Sequence, residues 1–125
     1  MIAIDTNVLV RYYVDDDHAQ HKKAIRFIDQ NEVFVNNIVI LESFWVLTSV
    51  YRLSKGRTGE IFDHLKRLSN IHFENETVFA RALMEYRDND CDFADALVGL
   101  LNRDYGYDTV SFDRKASKQL GFTLL

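Results

Sequence analysis

The chain has 125 residues and a net charge of −4, and hydrophobic residues make up 47% of it. This length fits one domain with its own core, and the composition excludes a disordered chain. No apolar run approaches the roughly 20 residues that a transmembrane helix needs, so we expect no membrane contact. The single cysteine, Cys91, excludes an internal disulfide and a cysteine-based zinc site. The acidic balance argues against binding nucleic acid by bulk charge, but carboxylates that bind metal are compatible with a nuclease.

Short apolar strands alternate with helices along the chain, with no repeat and no linker. The predicted strands are residues 1–5, 33–35, 71–73, 109–112 and 122–124. The predicted helices are residues 8–14, 15–30, 38–53, 58–68, 77–87 and 92–103, and a short one that Asp113 begins. Asn7 is the predicted N-cap of the first helix and Thr58 that of the fourth. This alternation predicts an α/β fold with a short, mostly parallel sheet flanked by helices, and residues 1–125 as a single domain.

Two aspartates follow strands and precede helices. Asp5 ends the first predicted strand, and Asp113 follows the fourth. In an open parallel α/β sheet, ligands bind beyond the carboxyl ends of the strands. Both residues are therefore candidates for a site, and helix capping is the alternative explanation for each.

Glu42 lies within the most apolar predicted helix. At helical spacing it shares a face with Ile38, Trp45, Val46 and Ser49. A carboxylate buried on such a face needs a cation, because isolated burial costs several kcal/mol or raises its pKa. We therefore predict a buried acidic ligand here. The alternative is a side chain at the edge of the stripe that reaches solvent.

Asp92 and Asp95 are spaced so that both lie on one side of a helical turn. Capping and the helix dipole explain Asp92 well, whereas apolar neighbours predict that Asp95 faces inward. Carboxylates that converge from separate elements suit Mg²⁺ or Mn²⁺, and two such ions can activate water and stabilise a leaving oxygen at a phosphodiester. The histidines show no metal-ligand spacing, and no glycine-rich phosphate loop is present.

Four segments resemble PIN-domain proteins in order and spacing. They read MIAIDTNVLVR at 1–11, LESFWVL at 41–47, DFADAL at 92–97 and TVSFDR at 109–114. The resemblance implies a metal-dependent endoribonuclease on a PIN-like three-layer α/β/α sandwich. Many small members of this family are VapC-type toxins of toxin–antitoxin pairs. The resemblance therefore also implies an RNA substrate, an antitoxin partner and a homodimer, and we expect a cytoplasmic protein, since no leader segment is evident.

The resemblance assigns roles to particular residues. Asp5, Glu42, Asp95 and Asp113 match the family's catalytic, metal-binding acids, which would hold Mg²⁺ or Mn²⁺. Asp92, Thr6, Asn7 and Ser111 are accessory residues in this interpretation. Arg11, Lys55, Arg57 and Arg114 are candidate phosphate contacts, with a solvated surface charge as the alternative for each.

Two other functions remain open on the sequence. One is a PIN-like module that binds RNA or a protein without cutting. The other is a metal-dependent phosphatase of the response-receiver type, which would need a lysine on a late strand. The late strand is followed by Asp113 instead, so the phosphatase is the weaker alternative.

Overall fold

A computed structural model describes residues 1–125, all of the chain. The strands are β1 (Ile2–Ala3), β2 (Val33–Val35), β3 (Ile71–Phe73), β4 (Val110–Ser111) and β5 (Thr123–Leu124). The helices are α1 (Thr6–Tyr13), α2 (His18–Gln30), α3 (Asn37–Trp45), α4 (Lys55–Arg67), α5 (Glu76–Asp88), α6 (Phe93–Asp104) and α7 (Arg114–Leu120), with a π-helical turn at Val46–Val50 after α3. The predicted α/β class with short parallel strands and intervening helices is confirmed. None of the helices combines the length and apolar character that a membrane crossing requires.

The chain divides into two compact units, Met1–Asn75 and Glu76–Leu125. The first unit contains a parallel sheet in the order β1-β2-β3. Val33 of β2 pairs with Ile2 on one side and Ile71 on the other. Val33 and Val35 are fully buried, as expected for a strand with neighbours on both edges. Because parallel strands need crossover connections, the helices between them are a consequence of the pairing.

The second unit contains a two-stranded parallel sheet in which Val110 pairs with Thr123. Helix α7 lies in the crossover between these strands. The buried side chains of α5 and α6 include Phe79 and Phe93, whose rings meet edge to face with centroids 6.4 Å apart. The predicted mostly parallel pairing is confirmed, but the strands form two separate hydrogen-bonded sheets.

Two predicted N-caps are wrong, and both helices begin earlier than expected. Asp5 caps α1, because its Oδ1 accepts a hydrogen bond from Val8 N at 3.2 Å, while Asn7 lies inside the first turn. Ser54 caps α4, and the buried hydroxyl of Thr58 donates back to Ser54 O at 2.9 Å. Each stretch holds more than one residue able to cap, and the residue nearest the preceding segment takes the role.

The third helix is shorter than the predicted 38–53. Its α-helical part ends at Trp45, and a π-helical turn follows to Val50. Within this turn, the Thr48 hydroxyl donates to Phe44 O at 2.9 Å, a bond that competes with the regular helical ladder. Arg52 then has a positive φ of 54°, a left-handed conformation that stops the helix. Local side-chain bonding and this backbone conformation therefore set the end of the helix.

Candidate active site

Asp5 lies two residues beyond the end of β1 and caps the start of α1, so it follows a strand and precedes a helix, although the strand itself ends earlier than predicted. Its Oδ1 accepts the hydrogen bond that caps α1, and the side chain is exposed. Asp5 and Asn7 both line a cavity of about 660 Å³ in the first unit. The carboxylate therefore serves as a helix cap and faces solvent at the same time. The capping explanation and the functional one are compatible for this residue.

Glu42 is exposed, so the predicted burial of this carboxylate is wrong. Ile38 and Trp45, which share its helix face, are 73% and 61% exposed, and Ser49 is exposed too. The core contacts of α3 are made instead by Val39, Ile40 and Ser43.

Thr6 connects Glu42 to the first turn of α1. The Thr6 hydroxyl donates a hydrogen bond to Glu42 Oε1. Thr6 is buried, and it follows Asp5 directly in the chain. The first unit therefore brings Glu42 beside the helix start that Asp5 caps, although the two acids are far apart in sequence.

Three aspartates line one cavity of about 240 Å³ in the second unit: Asp92, Asp95 and Asp113. Asp92 caps α6, with Oδ1 accepting from Asp95 N at 3.0 Å. Asp113 caps α7, with Oδ1 accepting from Ala116 N at 2.9 Å. Asp95 makes no capping bond with its side chain and is half-buried, as the prediction that it faces inward requires. Two helix starts thus bring three acids together.

The electrostatics of this cavity favour a cation. Burial raises the pKa of the Asp95 carboxyl, and the negative charges of Asp92 and Asp113 raise it further. Lys115 also lines the cavity, but its Nζ pairs with Asp90 Oδ2 at 2.9 Å. The sequence did not single out Lys115, although its position in the first turn of α7, just after Asp113, was the available signal.

The accessory residues differ in what they contact. Ser111 Oγ accepts a hydrogen bond from the backbone N of Asp113 at 2.9 Å, so it supports the position of Asp113 through the main chain. Asp92 contacts the backbone of Asp95 in a similar way. Asn7 is exposed in the first turn of α1. Of the accessory residues, Thr6 makes a side-chain hydrogen bond to a candidate catalytic carboxylate.

The carboxylates are suitable ligands for a hard divalent ion, because such ions prefer oxygen donors. Asp92 and Asp113 each use Oδ1 to accept the capping hydrogen bond, which leaves Oδ2 available as a metal ligand. In neither unit, however, do three or more His, Cys, Asp or Glu side chains form a group that could hold a metal ion. The donor chemistry therefore fits Mg²⁺ or Mn²⁺, whereas a completed coordination shell is not formed within either unit.

Arg11 is held by its own unit rather than free for phosphate. Its guanidinium contacts Tyr51 OH at 2.8 Å, Gln20 Oε1 at 2.9 Å and Asp16 Oδ1 at 2.8 Å. Arg57 lies 3.5 Å from Glu60 in an exposed pair. The exposed Arg114 takes part in no ion pair.

Each of the four histidines contacts a different partner. Their partners are the carboxylates of Asp15 and Glu32, the Tyr13 hydroxyl and the Arg11 carbonyl oxygen.

These features define an α/β protein with acidic residues at helix starts that follow parallel strands. A family model described as the PIN domain matches residues 2–120, so the chain belongs to the PIN-domain family. PIN domains are generally Mg²⁺- or Mn²⁺-dependent nucleases that act on RNA. No curated protein matches the chain closely enough to count as a relative.

Proposed function

We propose that this chain is a metal-dependent endoribonuclease in which Asp5, Glu42, Asp95 and Asp113 are catalytic and hold Mg²⁺ or Mn²⁺. Membership of the PIN-domain family supports the nuclease class. The observation that carries the proposal is the cavity with three aspartates, where burial, and then repulsion by the carboxylates of Asp92 and Asp113, raises the pKa of Asp95. A bound cation would remove that repulsion.

The metal, when bound, supplies a water of lowered pKa and offsets negative charge at the phosphate. The residues of the chain position its ligands. The Thr6 hydroxyl donates a hydrogen bond to Glu42 Oε1, which leaves the other carboxylate oxygen of Glu42 available to bind a metal ion. Asp92 orders the first turn of α6 and so fixes the backbone of Asp95. Such supporting hydrogen bonds typically change metal affinity or activity by about 10- to 100-fold when removed.

We further propose that the nuclease is a VapC-type toxin of a toxin–antitoxin pair and works as a cytoplasmic homodimer. The support for this finer assignment is the resemblance of the four sequence segments. Its test is co-expression with the product of any small open reading frame found directly upstream of the gene. An antitoxin would bind the chain and inhibit its RNA cleavage, and a neighbour that does neither would contradict the toxin assignment.

A non-catalytic RNA-binding module is the second candidate function. The observation that favours it is that neither unit contains a group of three side chains able to hold a metal ion. The two candidates differ in whether RNA is cut.

The deciding experiment is cleavage of an end-labelled RNA of mixed sequence in Mg²⁺, Mn²⁺ or EDTA. Asp5→Asn and Asp95→Asn test one acid from each unit, and asparagine preserves the capping role at Asp5. Asp88→Asn is the matched control, because Asp88 is exposed at the end of α5 and lines none of these cavities.

We expect metal-dependent cleavage by the wild type and Asp88→Asn, and its loss in the other two variants. Equal cleavage by all four proteins would contradict the site. RNA binding without cleavage in any metal would favour the non-catalytic module.

A further inference from the structure

One face of α6 connects the aspartate cavity to a second cavity. Asp92, Asp95, Gly99 and Arg103 follow one another at helical spacing along this face. The second cavity, of about 90 Å³, is lined by Gly99 and Arg103 together with Arg81 of α5. Both cavities share Gln119 and Leu120 of α7 as lining residues. Acidic and basic cavities of the second unit are therefore neighbours across these α7 residues.

Arg81 and Arg103 also line a third cavity, of about 260 Å³. Neither guanidinium forms an ion pair, in contrast to Arg11, Arg57 and Arg67, which all contact carboxylates. Arg103 Nη2 donates a weak hydrogen bond to Leu120 O at 3.4 Å, which orients the group beside α7. Two unpaired cations thus lie on one surface of a chain whose net charge is −4.

Two carboxylates border the same cavities. Glu85 lines the second cavity, where its Oε2 accepts a hydrogen bond from Asn89 Nδ2 at 3.0 Å. Asp104 lines the third cavity. Neither forms an ion pair with Arg81 or Arg103. Apart from the bond from Arg103 Nη2 to Leu120 O, the arginines therefore keep their donors available for an external anion.

We propose that Arg81 and Arg103 form a phosphate-binding subsite for a single strand of RNA. The planar guanidinium groups match the bidentate geometry of phosphate oxygens. Arg103 lies eight residues beyond Asp95 on α6, which is about 12 Å along the helix axis. A phosphodiester backbone spans that distance within a few nucleotides. The subsite therefore grips the strand away from the bond that is cut, without reading its sequence. This inference rests on the proposed ribonuclease function, because it assigns the same enzyme a place to hold its substrate.

The test is the affinity of the full chain for fluorescein-labelled single-stranded RNA, measured by anisotropy in EDTA so that no cleavage occurs. The variants are Arg81→Gln, Arg103→Gln and the double variant. Arg26→Gln is the control, since it makes the same charge change on an exposed position of α2 and Arg26 forms no ion pair. Melting temperatures show whether each variant folds, and Arg81→Gln changes an exposed side chain that makes no hydrogen bond.

We expect each single variant to raise Kd by about tenfold, as for the loss of a charge-assisted hydrogen bond. The slope of log Kd against log salt should fall by about 0.7 per arginine removed. Cleavage by these variants should show a raised KM with nearly unchanged kcat, the pattern of lost ground-state binding. Arg26→Gln should match the wild type in all three measurements.

Unchanged Kd and salt slope in the double variant would overturn the subsite, as would a wild type that does not bind RNA. Inorganic phosphate is the second probe. Arginine-dependent stabilisation by phosphate without an effect on RNA affinity would identify a small-anion site and overturn the RNA assignment. Arginine-dependent RNA binding without metal-dependent cleavage would support the subsite while refuting the nuclease. Cleavage with normal Kd and KM in the double variant would refute the subsite alone.

Discussion

Substituting Gly99 by alanine places a methyl group where Phe122 already lies. An added Cβ would be 2.3 Å from Phe122 Cε1 and 2.7 Å from its Cζ. Carbon atoms pack best at about 3.5–4.0 Å, so the overlap exceeds 1 Å at the first contact. The ring follows Gly121, whose φ of 71° sets the chain direction into β5. The half-buried ring must therefore rotate or shift to make room for the methyl group.

Two opposing terms decide the sign of the effect. Gly99 is inside α6, where alanine is favoured over glycine by about 1 kcal/mol. Overpacking costs about 1–3 kcal/mol, and an overlap of this size belongs at the upper end. We therefore expect Gly99→Ala to lower the free energy of unfolding by about 2 kcal/mol.

A double-mutant cycle separates the two terms. Phe122→Leu removes the Cε1 and Cζ atoms, while the Phe122 Cδ1 position is at an ordinary distance of 3.6 Å from the added Cβ. In this background, Gly99→Ala should raise stability by up to about 1 kcal/mol, because only the helix preference remains. Urea denaturation of the four proteins measures the cycle. Equal destabilisation by Gly99→Ala in both backgrounds would refute the steric explanation.

Three further predictions concern the candidate site and the first unit. Mn²⁺ should raise the melting temperature of the wild type by mass action. Asp95→Asn should be slightly more stable than the wild type without metal, and its melting temperature should not respond to Mn²⁺. Equal shifts of the two proteins in calorimetry would contradict this prediction. Thr6→Val should lower the free energy of unfolding by about 1 kcal/mol and need about tenfold more metal for half-maximal cleavage, because Glu42 loses its hydrogen-bond donor. Thr6→Ser, which keeps the hydroxyl, should behave as the wild type. Burial raises the pKa of the Tyr13 hydroxyl, so the unfolded chain ionises first. Wild-type stability should therefore fall as the pH rises above about 10. Tyr13→Phe, which also loses the bond to His64, should show a smaller fall in urea titrations, and the raised pKa values of Tyr12, Tyr51 and Tyr86 account for the fall that remains. Parallel curves for the two proteins would exclude the effect.

The sequence predicted the element order and several boundaries closely. Strands β2 and β3 have the predicted bounds, and Asp92 and Asp113 cap helices as the sequence indicated. These features depend on neighbouring residues, since apolar runs and capping side chains act over a few positions. The first strand is shorter than predicted, with Ile2 and Ala3 alone paired, because a partner strand sets where pairing ends.

The tertiary structure decided which faces and which acids meet. Helical spacing grouped Glu42 with Ile38 and Trp45, but that spacing alone does not say which face of a helix is covered, and this face is exposed. The bond from Thr6 to Glu42 joins residues 36 positions apart. The shared cavity of Asp95 and Asp113 likewise depends on where α6 and α7 lie. The sequence by itself therefore determined the α/β class and the chemistry of the acids. Only packing determined which acids are neighbours, because contacts between residues distant in sequence depend on how all the helices are buried and how all the strands pair.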